Sequence, residues 1–191
     1  MVRGFNLLAG GVLLLYPLLV YVGMTRWSHD ALALMLLPLF ALRLLPGSAA
    51  LREWLWAARL AGVVGLALVV LSLWFKAQHW LLFYPLVVNL TLLAVFGWSL
   101  RQPMTLVERL ARLTTPDLPP RGVRYTRRVT QVWCLFFIIN AALATLTILH
   151  GDLALWSLYN GLISYVLIGV LMGGEWLVRR HVMRGGDNDP A

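Results

Sequence analysis

Three histidines, His29, His79 and His150, stand in short polar intervals between long apolar blocks, with Asp30 and Asp152 beside two of them. Imidazoles and carboxylates brought together from separate loops could bind a metal or exchange protons in acid–base chemistry. None of them has ligand spacing such as His-x-x-x-His, and wet interfacial loops hold His and Asp for ordinary reasons. The sequence therefore assigns no metal, no cofactor and no catalytic residue. It has no Ser–His–Asp signature, no Gly-rich phosphate loop and no cysteine pair. Nothing positive supports an enzyme.

A second set lies inside the apolar blocks: Asn89, Asn140 and Asn160, with Tyr159, Ser164 and Tyr165 near the last. A carboxamide cannot stay unpaired in hydrocarbon, so these residues are expected to face a bundle interior. They act there as interhelical glue or, alternatively, line a substrate path. Glu175, near the end of the last block, is expected to pair with an arginine, with proton coupling as the alternative.

The third set is cationic. Ser99 to Arg128 is the one long polar interval between apolar blocks, and it carries seven of the sixteen cations, all arginine. Met104, Leu106, Val107, Leu110 and Leu113 recur at helical spacing, with Thr105, Glu108, Arg109 and Arg112 on the other side. Thr105-x-x-Glu108 has capping-box spacing, and Glu108 and Arg112 form an i,i+4 pair. A short amphipathic helix in the headgroup region, apolar face down, is the expectation. Pro116, Pro119 and Pro120 then predict an extended strap over Thr114 to Gly122. Arg109, Arg112, Arg124, Arg127 and Arg128 are the candidate contacts for anionic lipid headgroups or for a cytosolic or membrane biosynthetic protein partner.

The elements that must position these sets are apolar and long. Of 191 residues, 60% are hydrophobic and 13% charged, with a mean hydropathy of +0.77. An average soluble domain is roughly 25% charged, and the blocks approach the ~20 residues that cross a hydrocarbon core. An all-α polytopic transmembrane helical bundle follows. The net charge of +8 raises nucleic acid, but cations gathered in the gaps between apolar blocks fit membrane anchoring, so no nucleic acid is expected. Cys134, the only cysteine, excludes an intrachain disulfide and reads as a small buried hydrophobe.

Six spans are expected: Phe5 to Met24, Ala31 to Leu45, Leu60 to Phe75, Leu81 to Trp98, Val129 to Leu149 and Leu153 to Val178. The first is read as a retained span, because no cleavage pattern follows it. The second contains Pro38 and Arg43 and is the shortest. Pro46-Gly47-Ser48 marks a turn, and Ala50 to Arg59 reads as an interfacial piece anchored by Trp54 and Trp56. Residues 1–98 thus hold spans one to four, 99–128 the basic helix and strap, 129–180 spans five and six, and 181–191 a disordered tail. Six spans put fourteen cations on one side and two, Arg26 and Lys76, on the other. The positive-inside rule then places both termini in the cytoplasm. Gly169-x-x-x-Gly173 and Ala61-x-x-x-Gly65 permit close helix approach, and a dimer through the last span is possible.

From Phe75 to Arg180 the order of features resembles known proteins. A span ends in Trp98-Ser99-Leu100-Arg101-Gln102-Pro103-Met104, an ERLARL segment (Glu108 to Leu113) and a proline strap follow, then Val132-Trp133-x-x-Phe136-Phe137 with Asn140. This distantly resembles the intracellular septation protein A family of small bacterial inner-membrane proteins. It looks closer to an uncharacterised sister family whose members are encoded among genes for aryl polyene or xanthomonadin pigments. Where septation proteins carry a basic-Trp-basic run before the fourth span, this chain has Trp80-Leu81-Leu82-Phe83. The resemblance implies a non-catalytic accessory or scaffold protein for cell-envelope lipid assembly in the bacterial inner membrane. A small transporter or flippase for a lipid-linked intermediate is the alternative, and a septation or envelope-maintenance role a lesser one.

Overall fold

A proline sets the architecture at the centre of the chain. Pro85 has no N–H, so the carbonyl of Leu81, four residues earlier, loses its usual helical donor. The chain adopts a 3-10 turn over Gln78–Phe83 and only then winds into a regular helix. The hydroxyl of Tyr16, 65 residues away, donates to the Leu81 carbonyl at 2.8 Å. The indole Nε1 of Trp156 donates to the next carbonyl, that of Leu82, at 3.2 Å. Two remote segments are thereby tied to one turn.

The computed structural model describes residues 16–27, 29–42, 52–75 and 78–184. Helices α1 (Tyr16–Arg26), α2 (His29–Leu42) and α3 (Arg52–Trp74) come first. After the 3-10 turn come α4 (Tyr84–Ser99), α5 (Leu106–Thr114), α6 (Pro120–His150), α7 (Leu153–Leu158), a π turn (Tyr159–Ile163) and α8 (Ser164–Arg184). All regular structure among the described residues is helical.

Three stretches, His79–Ser99, Pro120–His150 and Leu153–Arg179, are long and apolar enough to cross a membrane. Their outward faces are rich in apolar side chains, including Leu135, Ile138, Val166 and Val170. In the amino-terminal half, α2 has 14 residues, about 21 Å at 1.5 Å per residue, and Gly62–Trp74 is a shorter apolar helix. Three of the six expected spans are thus matched by stretches both long and apolar enough to cross a membrane among the described residues. Met1 to Gly4, the first part of the first block, Arg43, the Pro46-Gly47-Ser48 turn and residues 185–191 lie outside the described residues.

Several boundaries differ from expectation. The interfacial piece and the third block are one continuous helix, α3, because nothing between Arg52 and Leu60 breaks a helix. The strap is short: α6 begins at Pro120, not after Gly122. A proline in the first helical turn gives up an N–H that would be unpaired anyway and presets φ. Arg121, Arg124, Arg127 and Arg128 therefore ride on the first turns of a 31-residue helix. The last helix runs on to Arg184, beyond the basic cap at Arg179-Arg180.

Two apolar clusters hold the bundle. One joins α1, α2, α3, the 3-10 turn, the start of α4 and α7 through Tyr16, Val20, Leu36, Phe40, Leu68, Val69, Leu81, Tyr84 and Trp156. Gly65 belongs to this contact: a Cβ there would overlap the ring of Phe40, so the small residue sets the α2–α3 approach. Gly169 and Gly173, by contrast, have open space where a Cβ would go. The second cluster joins α4, α5 and α6 through Phe96, Leu106 and Phe137. The antiparallel pair α4 and α6 makes the most extensive helix contact.

Candidate functional site

The second cluster is unfinished on one side. Phe96, Trp133 and Phe137 pack ring on ring at centroid distances of 5.2 to 6.2 Å. Their remaining surface borders a cleft of about 540 Å³ between α4, α5, α6 and α8. That volume falls within the ~300–1,000 Å³ usual for ligand pockets. Leu92 and Phe96 form one wall, Val129 and Trp133 a second, Ile168 and Met172 a third. Polar groups gather at one end, where Tyr125, Glu175 and Arg179 line the opening.

Helix α5 roofs this cleft. Thr105 caps it, its Oγ1 accepting from the Glu108 backbone N–H at 3.3 Å. Glu108 is buried and accepts from Arg112 Nε at 3.0 Å and Nη2 at 2.9 Å, while Arg112 Nη1 donates to the Pro116 carbonyl at 3.0 Å. Arg112 thus clamps the end of α5 to the strap. The apolar face of α5 rests in part on protein. Leu106 is buried against Phe96 and Phe137, and Val107, Leu110 and Ala111 line the cleft. Met104 and Leu113 stay exposed at its two ends.

The candidate arginines divide into two kinds. Arg112 is committed to Glu108, and Arg127 Nη2 donates to the Leu100 carbonyl at 2.8 Å, stitching α6 to the end of α4. Arg124 and Arg128 are exposed and, one helical turn apart, flank Tyr125. Arg109 is half-buried on α5. Glu175 meets a tyrosine of α6. The Tyr125 hydroxyl donates to the Glu175 backbone carbonyl at 2.9 Å, with the Glu175 carboxylate 3.4 Å from the same oxygen. Tyr125 rides on α6, whose early start at Pro120 carries it to this level beside α8.

The asparagines do converge, and two of them touch. Asn140 Nδ2 donates to Asn89 Oδ1 at 2.9 Å, and the Tyr159 hydroxyl donates to Asn140 Oδ1 at 2.7 Å. Asn89 Nδ2 donates back to the Pro85 carbonyl at 2.8 Å. This chain of bonds links α4, α6 and the π turn. Asn160 donates to the Trp156 carbonyl at 2.9 Å and approaches Thr147 Oγ1 at 3.4 Å. The π turn adds a residue to the helix, and such bulges often stand at functional sites. Here it turns Tyr159 and Asn160 inward together.

Among the described side chains the histidine set does not assemble. Among the described residues no three His, Cys, Asp or Glu side chains stand within reach of one metal ion. His79 stacks on Trp80 at 5.8 Å, and His150 is the exposed last residue of α6. Asp152 is occupied as the cap of α7, accepting from Ala154 N at 2.8 Å and Leu155 N at 3.2 Å. His29 and Asp30 begin α2, and their side chains lie outside the described residues.

Sequence reasoning missed Tyr125 and the cleft walls. A signal existed in the run Thr126, Val129, Trp133, Phe137, which repeats every three or four residues and faces one direction. No protein-family model, no curated protein and no solved structure matches this chain.

Proposed function

We propose that this protein is a polytopic inner-membrane accessory protein that holds one lipid chain in the cleft and performs no chemistry on it. The observation that carries this reading is the cleft itself: apolar along its length, polar only at the Tyr125–Glu175–Arg179 end, and bounded by helices of membrane-spanning length. In a bilayer, an apolar cleft between such helices is open to acyl chains. The exposed cations Arg124 and Arg128 beside its polar end suit an anionic headgroup. Six spans with both termini cytoplasmic put that end at the cytoplasmic leaflet, in keeping with the fourteen-to-two cation asymmetry. The resemblance to the aryl polyene-associated family supports a scaffold role in envelope-lipid assembly, with a biosynthetic protein as the recipient of the held lipid.

A photoactivatable diazirine fatty acid fed to native membranes tests the reading. Crosslinks mapped by mass spectrometry are expected on Phe96, Trp133 and Met172, and an Ala111→Trp substitution that fills the cleft should abolish them. Labels confined to Leu135, Ile138 and Val170, which face outward, would mean ordinary boundary lipid and overturn it.

The flippase alternative has one observation in its favour, a smaller cavity that continues the cleft past Leu92, Phe137 and Ile168. That path stops at Tyr16 and Tyr84, which belong to the closed aromatic cluster. Holding is therefore the better supported function, translocation the lesser.

A further inference from the structure

The smaller cavity, about 110 Å³, changes character from the cleft it continues. Leu92, Phe137 and Ile168 line both. Beyond them the walls include Asn89, Asn140, Asn160, Ser164 and Tyr165. A pocket for the methyl end of a plain hydrocarbon tail would end in apolar side chains, since polar groups left unpaired there cost free energy.

These polar groups are bonded to one another, yet their capacity is not used up. Asn140 gives one N–H to Asn89 and its oxygen to Tyr159, and a carboxamide carries a second N–H. Ser164 Oγ donates to the Asn160 carbonyl at 3.1 Å and retains its lone pairs. Tyr165 lines the pocket, and its hydroxyl has no hydrogen-bond partner among the described residues. Donors and an acceptor are thus on offer at the far end of an apolar cleft.

The spacing between the two polar ends fits one chain. Along α6, Tyr125 and Asn140 are about 22 Å apart, and along α8, Glu175 and Ser164 are about 17 Å apart, at 1.5 Å per residue. One leaflet of a ~30 Å hydrocarbon core is roughly 15 Å deep.

We infer that the cleft selects a lipid chain that is polar at both ends. Its anionic head sits at the Tyr125–Arg179 rim, and a hydrogen-bonding group at the far terminus, of the hydroxyl type, enters the pocket formed by Asn140, Ser164 and Tyr165. This inference rests on the cleft being a lipid-chain site. A cavity of this size also admits ordered water, and water there would leave a plain chain and a hydroxylated chain bound equally.

The test compares two probes, hexadecanoic acid and 16-hydroxyhexadecanoic acid, titrated into the delipidated full chain and read by native mass spectrometry. A hydrogen bond worth ~0.5–1.5 kcal/mol net corresponds to a preference of up to about tenfold for the hydroxy acid. Tyr165→Phe should reduce that preference, and a thermal melt like that of the native chain shows that the variant is folded. Equal binding of the two acids by the native chain overturns the inference and leaves the cleft reading intact. Binding of neither acid overturns the cleft reading itself. A preference that survives both Tyr165→Phe and Ser164→Ala overturns the placement of the far terminus.

Discussion

The two aromatic clusters of this bundle are built from similar residues and finished differently. Tyr16, Phe40 and Tyr84 lie within 4.6 to 5.9 Å of one another, and Trp156 beside them is 1% exposed. Each polar tip that reaches the 3-10 turn answers a particular carbonyl, Tyr16 that of Leu81 and Trp156 that of Leu82. Phe96, Trp133 and Phe137 make equally regular ring contacts, but the far side of their cluster is left to a cleft. Aromatic packing alone therefore does not separate scaffold from site. What separates them is whether protein covers the last face.

That contrast breaks first under truncation. Trp156→Ala removes a fully packed side chain and a hydrogen bond, and should cost ~3–5 kcal/mol. Trp133→Ala, on a cleft wall that is already open, should cost roughly 1–2 kcal/mol, since part of its surface has no protein neighbour to lose. Thermal unfolding of both variants in the same detergent measures the difference. Equal losses would mean that the cleft is as tightly built as the core.

A finer change at the closed end removes one atom. Tyr16→Phe keeps the ring and leaves the Leu81 carbonyl without its donor, because Pro85 cannot supply one. The expected cost is ~1–3 kcal/mol, the desolvation of one buried carbonyl. A melt indistinguishable from the native protein would show that another donor reaches Leu81. At the open end, Thr105→Ala deletes the cap of α5 for about 1 kcal/mol. Hydrogen exchange should then rise over Leu106–Thr114 and stay unchanged across α4. A rise across α4 as well would mean that the roof and the wall open as one unit.

The helical character and the capping chemistry were legible in the sequence because they are local. Thr105, Glu108 and Arg112 lie within one segment, and their spacing alone specifies the cap and the clamp. The pairing of Asn89 with Asn140 was legible only as a tendency: a buried carboxamide needs a partner, but 51 residues separate these two. The cleft was hidden for a plainer reason. Trp133 and Leu135 are both apolar residues on one helix, and hydrophobicity does not say which faces a neighbour and which faces outward. Tyr125 at Glu175 was not legible from charge: an early helix start at Pro120 carries it there. Six spans were read from apolar blocks of unequal length, and the three stretches long and apolar enough to cross a membrane among the described residues correspond to blocks four, five and six.

The smallest expected effect separates the two kinds of arginine. Neutralising Arg109, Arg112, Arg124, Arg127 and Arg128 together would confound lipid contact with folding, since Arg112 clamps α5 to the strap and Arg127 ties α6 to Leu100. Arg124→Gln with Arg128→Gln removes only exposed charge. Near an anionic surface each cation is worth at most about 1 kcal/mol, less against a single carboxylate, and salt screens it beyond ~10 Å at 0.1 M. The double variant should therefore melt like the native protein and bind hexadecanoic acid several-fold more weakly at low ionic strength, with the gap closing as salt rises. An unchanged affinity at low salt would move the headgroup contact to Arg179, the cation that lines the cleft itself.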